Sequence, residues 1–391
     1  MAMRTSLVLL CLLLTFAAGT AQAASRNFSQ YPGFAEWYAA NPPSNDLPSL
    51  GDQALLAKHR PRFFLRAGQT GFIDFYRSYI AHGTLKSDAG AMISKTVTAE
   101  LLNTHKNDPG VIFTHEPLSG RDHAAPETPK VYGRVARANL VWLGTPQALT
   151  FLTYNAVFAH SGLTSGLLGW QKIGLGLLGD LDDWHQLDHY TSATVILGQG
   201  DRPFAIMLQQ HNYLRTYLVD EQIDLPPDGR PQIAVAEGSN ELYPYVEGRT
   251  SHRAVPFLTP ANFRYMLGTG RRPFFTADDI TDPEVELEYQ LAFLAPSDAF
   301  YTFKGFLGAL RTLPGRDGPP GADYNTLPEL KPMELQMLAG YWRYRNQGDI
   351  SRMEASFKHE KYWPAFAKGQ LEVFFSNAAC AKAWGKDCAF D

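Results

Sequence analysis

The chain has 391 residues with 35 Lys and Arg against 39 Asp and Glu, a formal charge of −4, and 45% hydrophobic residues. That apolar share is enough for a sizeable core, and the length suits roughly two to three domain equivalents, or one large domain with appendages. The charge is mild and no basic block stands out, which argues against nucleic acid as a partner.

The first 23 residues carry Arg4, the apolar run "SLVLLCLLLTFAA" and then "AQA". A charged start, an apolar middle and a small-residue cleavage site read as a secretory signal cut after Ala23. Leu10 precedes Cys11 where a lipoprotein signal needs a small residue. No later run is long and apolar enough to span a bilayer, since Lys172 and several glycines interrupt the nearest one. The mature chain is expected to be exported, to the periplasm or the medium, without a transmembrane segment. Cys380 and Cys388 are the cysteines left after cleavage. In an oxidising compartment they are expected to form one disulfide.

Residues 24–130 are mixed and loop-rich. "DQALLAKHR" and "QTGFIDFYRSYIAHG" suit short helices, and "AMISKTVTAELLNTH" has helical spacing, with Met92, Val97 and Leu101 or Leu102 on one side. Residues 131–270 change character. "VYGRVARANLVWL", "ALTFLTYNAVFAH", "TSATVIL", "PFAIMLQQH" and "QIAVAEG" are β-branched and aromatic runs separated by "GTP", "GQGDRP" and "PPDGRP". Strands such as "FAIML" are apolar on both faces and suit the middle of a covered sheet. Most connections are too short for helical crossovers, so antiparallel pairing is expected. Residues 271–391 are expected to be helical, beginning with "SDAFYTFKGFLGALRTL" behind a Ser297 or Asp298 cap. The fold class expected is α+β: a largely antiparallel β-sandwich with N-terminal and C-terminal α-helical additions.

The chemistry concentrates in "GDLDDWHQLDHY", residues 179–190. On a strand, Asp183, His185 and His189 share one face, with Asp180 and Asp182 in the preceding turn. Carboxylates and imidazole converging there would suit calcium, magnesium or zinc. On a helix, Asp182, His185 and His189 align instead, but Gln186 stands where a zinc protease keeps its glutamate. A third reading is a polar turn whose aspartates cap backbone N–H groups. His160 and His211 end two expected strands. "EGSNELYPY" adds Glu237 and Asn240, and it is not a G-x-S-x-G elbow. Glu237 with Asp183 would make a carboxylate pair for glycoside cleavage if their separation allowed it.

In order along residues 52–247, "LLAKHRPRFFL", "VYGRV" with "FLTYNAVFAHSG", "GDLDDWHQLDHYTSATVIL", "PFAIMLQQHNY" and "RPQIAVAEGSNELYPY" resemble the motif series of the vacuolar protein-sorting 62-like proteins. The D-W core also resembles the G-H-R-H-D-W-E heptapeptide of the Nep-like cytolysins. The resemblance implies a secreted β-sandwich that binds a divalent cation and membrane sphingolipid sugars. Gly179, Asp183 and Trp184 match the heptapeptide; Asp180 and Asp182 stand for its histidines, Leu181 for arginine and His185 for glutamate. Asn240 stands for a histidine in "GSN". The function expected is binding of a carbohydrate or lipid headgroup at a cation site (Asp180, Asp182, Asp183, His185), with His211, Glu237 and Asn240 as further ligand contacts. A metal-dependent or carboxylate-pair hydrolase acting on glycan or lipid is the alternative, and a structural envelope protein the third.

Overall fold

The computed structural model describes residues 42–69, 71–115, 128–142, 145–158, 192–210, 213–220, 223–236, 240–245 and 285–308. Residues 1–23, the cluster at 179–190, His160, His211, Glu237 and the Cys380/Cys388 pair lie outside them.

In chain order the elements are α1 (Leu50–Lys58), β1 (Arg62–Leu65), a π-helical turn (Phe75–Tyr79) running into a 3-10 turn (Ile80–His82), β2 (Gly83–Ser87), β3 (Met92–Ser94), α2 (Ala99–Thr104) and β4 (Val111–His115). Then come β5 (Lys130–Trp142), β6 (Thr145–Ala156), β7 (Ser192–Leu197), β8 (Pro203–Gln210), β9 (Tyr213–Leu218), β10 (Gln232–Val235) and β11 (Leu242–Pro244). The last described elements are β12 (Val285–Leu287), β13 (Gln290–Phe293), α3 (Ala299–Thr302) and β14 (Phe306–Leu307).

The described strands form three sheets. One has six strands in the order β13-β5-β6-β7-β8-β9; the others have four, β11-β10-β1-β12 and β14-β4-β2-β3. From β5 to β9 the six-stranded sheet is an antiparallel meander. Short links force that choice between β5 and β6, β7 and β8, and β8 and β9, because a parallel return needs a crossover of a dozen or more residues; the long connection from β6 to β7 does not force it. The parallel pairs are β1 with β10, β13 with β5 and β14 with β4, each joining strands distant in sequence. The fold is therefore mostly β, with mixed sheets and few helices among the described residues.

Strand parity sorts the core. On one face of the six-stranded sheet Val131, Leu152, Tyr154, Ala193, Val195, Ile206 and Leu208 alternate inward and share an apolar cluster with Phe63, Leu65, Ile233, Val235 and Leu242 of the β1 sheet. Helix α1 adds Leu56 to it, and the Tyr154 hydroxyl donates to Leu56 O at 2.9 Å. The rings of Phe63, Phe72 and Phe158 meet edge to face along this cluster, at 4.9 and 5.0 Å. All six positions of β7 are buried, as a central strand covered on both sides requires. A second cluster, with Phe75, Tyr79, Phe113, Tyr132, Phe300 and Tyr301, joins the third sheet to the opposite face at β5.

The helix expected over 91–105 begins only at Ala99. Residues Met92–Ser94 pair with β2 instead, and Thr98 caps α2 by accepting the Leu101 N–H at 3.1 Å. The run of Thr96, Val97 and Thr98 is β-branched and stiff, which favours extended backbone ahead of the cap. The helical region expected from residue 271 is likewise overturned in its described part. Residues 285–293 hold β12 and β13, and α3, capped by Asp298, stops after four residues. Phe303 is extended, and the chain turns at Gly305 to lay β14 on β4.

Candidate functional site

The site follows from the register of the meander. Asn155 pairs with Ser192, Ala156 with Val131, and Gln210 with Tyr213, so all these positions lie at one end of the six-stranded sheet. The chain leaves the described residues after Phe158 and returns at Ser192 at that end, and the "GDLDDWHQLDHY" stretch falls within the interval. His211 follows Gln210 in the sequence and lies outside the described residues.

Asn240 is the candidate residue that is described. It sits between β10 and β11 with φ 61° and is buried. Its N–H donates to Ala236 O at 3.2 Å, and the Ala236 N–H donates to Glu241 O at 2.9 Å. Asparagine tolerates this left-handed conformation better than most residues, which gives position 240 a backbone reason for its identity. The turn belongs near the same end of the molecule. Gln69 Nε2 donates to Ala236 O at 3.0 Å, and the Ile73 N–H donates to Val157 O at 2.9 Å. The four residues from 69 to 73 reach at most about 14 Å when fully extended.

The second face of the six-stranded sheet carries a feature the motifs did not single out. Reading across β5, β6 and β7 from that end, the first row is Tyr132, Asn155 and Ser192. The second is Arg134, Thr153 and Thr194, followed by Met207 on β8. The third is apolar: Ala136, Phe151, Ile196 and Ala205. Apart from Arg134, every polar member of the first two rows is at most 5% exposed. Thr153 and Thr194 share a hydrogen bond at 3.0 Å, and the Arg134 guanidinium lies 5.1 Å from the Tyr301 ring centre. Buried polar groups are costly unless matched, and here the two threonines match each other while the Tyr132 hydroxyl is taken by Asp74 and the Phe75 N–H. Alternation in "TFLTYNAV" and "TSATVIL" was the available signal: Thr153 and Asn155 fall on one parity, Ser192 and Thr194 on the matching one.

Beside the first row lies a saturated carboxylate. Asp74 accepts from the N–H groups of Tyr76 and Arg77, both at 3.1 Å, and from the Tyr132 hydroxyl at 3.2 Å, and it pairs with Lys130 Nζ at 2.5 Å. Burial raises its pKa, but Lys130, the Arg77 N–H and Tyr132 outweigh that and hold the carboxyl below its usual range. Burial, then the charge of Asp74, pushes the Tyr132 hydroxyl well up, so it serves as a donor and not as a base. Among the described residues no three His, Cys, Asp or Glu side chains converge at metal-ligand spacing. No helix among them is long and apolar enough to cross a membrane.

No family model and no curated protein matches the chain. The solved structure described as "NLPPya in complex with glucosamine" matches at 12% identity over 52% of this chain and 71% of that chain, with a TM-score of 0.29. At that score the match fixes neither fold nor ligand for this chain.

Proposed function

We propose that the protein is an exported β-sandwich module that binds a carbohydrate or a lipid headgroup at this end of the six-stranded sheet. A divalent cation (calcium, magnesium or zinc) held by Asp180, Asp182, Asp183 and His185 orders the ligand, and His211, Glu237 and Asn240 contact it. The observation that carries the reading is the register that gathers Ala156, Ser192 and Gln210 at one end of the sheet, with the stretch holding Asp180, Asp182, Asp183 and His185 lying in the sequence between Phe158 and Ser192. The sandwich reading is supported by the apolar cluster shared between the six-stranded and β1 sheets. Strand parity around Asp183 adds the local expectation that Trp184 packs inward while Asp183 and His185 face the ligand.

Calorimetric titration with neutral oligosaccharides and with phosphorylated headgroups, each with and without added calcium, magnesium or zinc, tests this. Binding is expected to need the metal. Asp183→Asn is expected to abolish it while leaving the melting temperature nearly unchanged, whereas Trp184→Ala lowers the melting temperature strongly. If no metal shifts the wild-type melt and Asp183→Asn destabilises as much as Trp184→Ala, the cluster is a structural turn. Release of free sugar or headgroup during the titration would favour the hydrolase.

A further inference from the structure

His59 closes α1. Its N–H donates to Leu55 O at 3.1 Å, its side chain is buried, and neither Nδ1 nor Nε2 has a hydrogen-bond partner. That is unusual, because a neutral imidazole always carries one donor and one acceptor and buried ones normally find matches for both. The side chain sits where α1 is seated most tightly. Leu56, the third residue before the helix ends, is fully buried, and its methyl groups would meet a Cβ on Gly133 of β5 at 3.2 Å. The Tyr154 hydroxyl of β6 holds Leu56 O, and Asp52 pairs with Arg137 of β5.

The charged groups acting on His59 come from two elements. Lys58, its neighbour in α1, opposes protonation; Asp201, in the turn before β8, favours it. Burial is the largest influence and, with Lys58, holds the imidazole below its usual range despite Asp201. On β5, Arg137 is taken by Asp52 and also feels Asp201. Asp201 is exposed, with φ 54° in the left-handed region.

We propose that His59 is a proton-operated latch on α1: neutral, it lets the C-terminal turn of the helix stay seated on β5 and β6; protonated, it leaves its buried, unpartnered site for solvent and Asp201 and undocks that turn. An imidazolium has two donors to satisfy and a charge to solvate, and no protein acceptor reaches either ring nitrogen in the buried site. The direction follows from linkage. A histidine whose folded pKa is depressed contributes stability that is complete above the unfolded value of 6.5 and is lost as pH falls below it toward the folded value. This proposal does not depend on the ligand assignment above.

Hydrogen exchange of the full mature chain, compared at pH 7.5 and 5.5 after correction for intrinsic rates, reads the latch directly. Amides of residues 53–59 are expected to lose about tenfold protection, the limit set by one proton over the unit of pH below 6.5. Amides of β6 and β7 should hold theirs. In His59→Phe and His59→Gln the α1 protection should no longer depend on pH. Asp201→Asn should lower the midpoint and keep the amplitude. In the wild type, the His59 ring signals should titrate below the usual histidine range. Retained pH dependence in both His59 variants, unchanged wild-type protection, or a ring that titrates normally would each overturn the latch. If neither variant folds, the wild-type ring titration decides.

Discussion

Asp74 illustrates how much one residue holds. Four donors from two parts of the chain end on its carboxylate, and Tyr132 passes a further bond on by accepting the Phe75 N–H at 2.9 Å. Removing the carboxylate leaves buried donors unmet beside a lysine, so Asp74→Ala is expected to cost about 3–5 kcal/mol in urea melts. A loss under about 1 kcal/mol would mean the network re-forms around water. Because the folded pKa of Asp74 is depressed, its contribution is present above the reference value of 3.8 and fades as pH falls below it. Wild-type stability should therefore drop more steeply between about pH 4 and 2 than that of Asp74→Asn, as urea melts across that range would show. The ion pair between Arg62 and Glu286 is the contrast. Its side chains are 28% and 38% exposed, and loss of the pair should change stability by no more than about 1 kcal/mol. Nothing in "GFIDFYR" marks Asp74 as a hub, since its partner Tyr132 lies 58 positions away. The aspartates at 180–183 drew attention by crowding in the sequence. Crowding is local, whereas a buried network is assembled from distant strands.

At the scale of elements, the meander was legible and the helices were only partly so. The runs at 151–158, 193–197, 204–209 and 233–236 overlap β6, β7, β8 and β10, the first and last running one or two residues past the strand end, because β-branched composition and nearby turn residues are local properties. The 91–105 stretch misled because apolar spacing compatible with a helix was split by pairing with β2, a tertiary contact. The polar rows were legible in principle as period-two alternation, but which face they occupy depends on register. Their coupling is testable across β6 and β7. Thr153→Val or Thr194→Val alone should cost about 1–3 kcal/mol, since each leaves a buried hydroxyl unmet. The double variant should cost clearly less than the sum, and strict additivity in a double-mutant cycle would show that the two hydroxyls bond elsewhere. Gly305 governs β14 in a different way. A Cβ there would meet Val111 O at 2.1 Å, and backbone cannot move aside as a side-chain tip can. Gly305→Ala is expected to cost about 3 kcal/mol or more, near the upper end of overpacking effects, with lost protection centred on β4.

For the whole molecule, the three segments suggested by composition are woven through one another. β1, from the first, lies between β10 of the second and β12 of the third; β13 extends the meander beside β5; β14 extends the sheet of β4. These closures were beyond reach of the sequence alone. Arg62 pairs with Gln232 and Phe63 with Leu287, and no local pattern in "RFFL" names a partner so far along the chain. The weave has a consequence for excision. A fragment of residues 131–270 keeps the meander with β10 and β11 but loses β1, β12, β13 and α1. Val131, Leu152, Val195 and Ile206 then lose Leu56, Phe63 and Leu65 from their shared cluster. Each such side chain gains about 1.5–3 kcal/mol from full burial, so uncovering these four approaches about 6–12 kcal/mol, as much as the 5–15 kcal/mol that holds a typical domain together. β10 also loses its central neighbour and retains only β11. The fragment should therefore unfold without a sharp transition and bind a hydrophobic dye, while the full mature chain melts cooperatively and does not. A fragment with a sharp thermal transition and native-like dispersion of its amide signals would show that the meander is an independent domain, and that β1 and α1 merely dock on it.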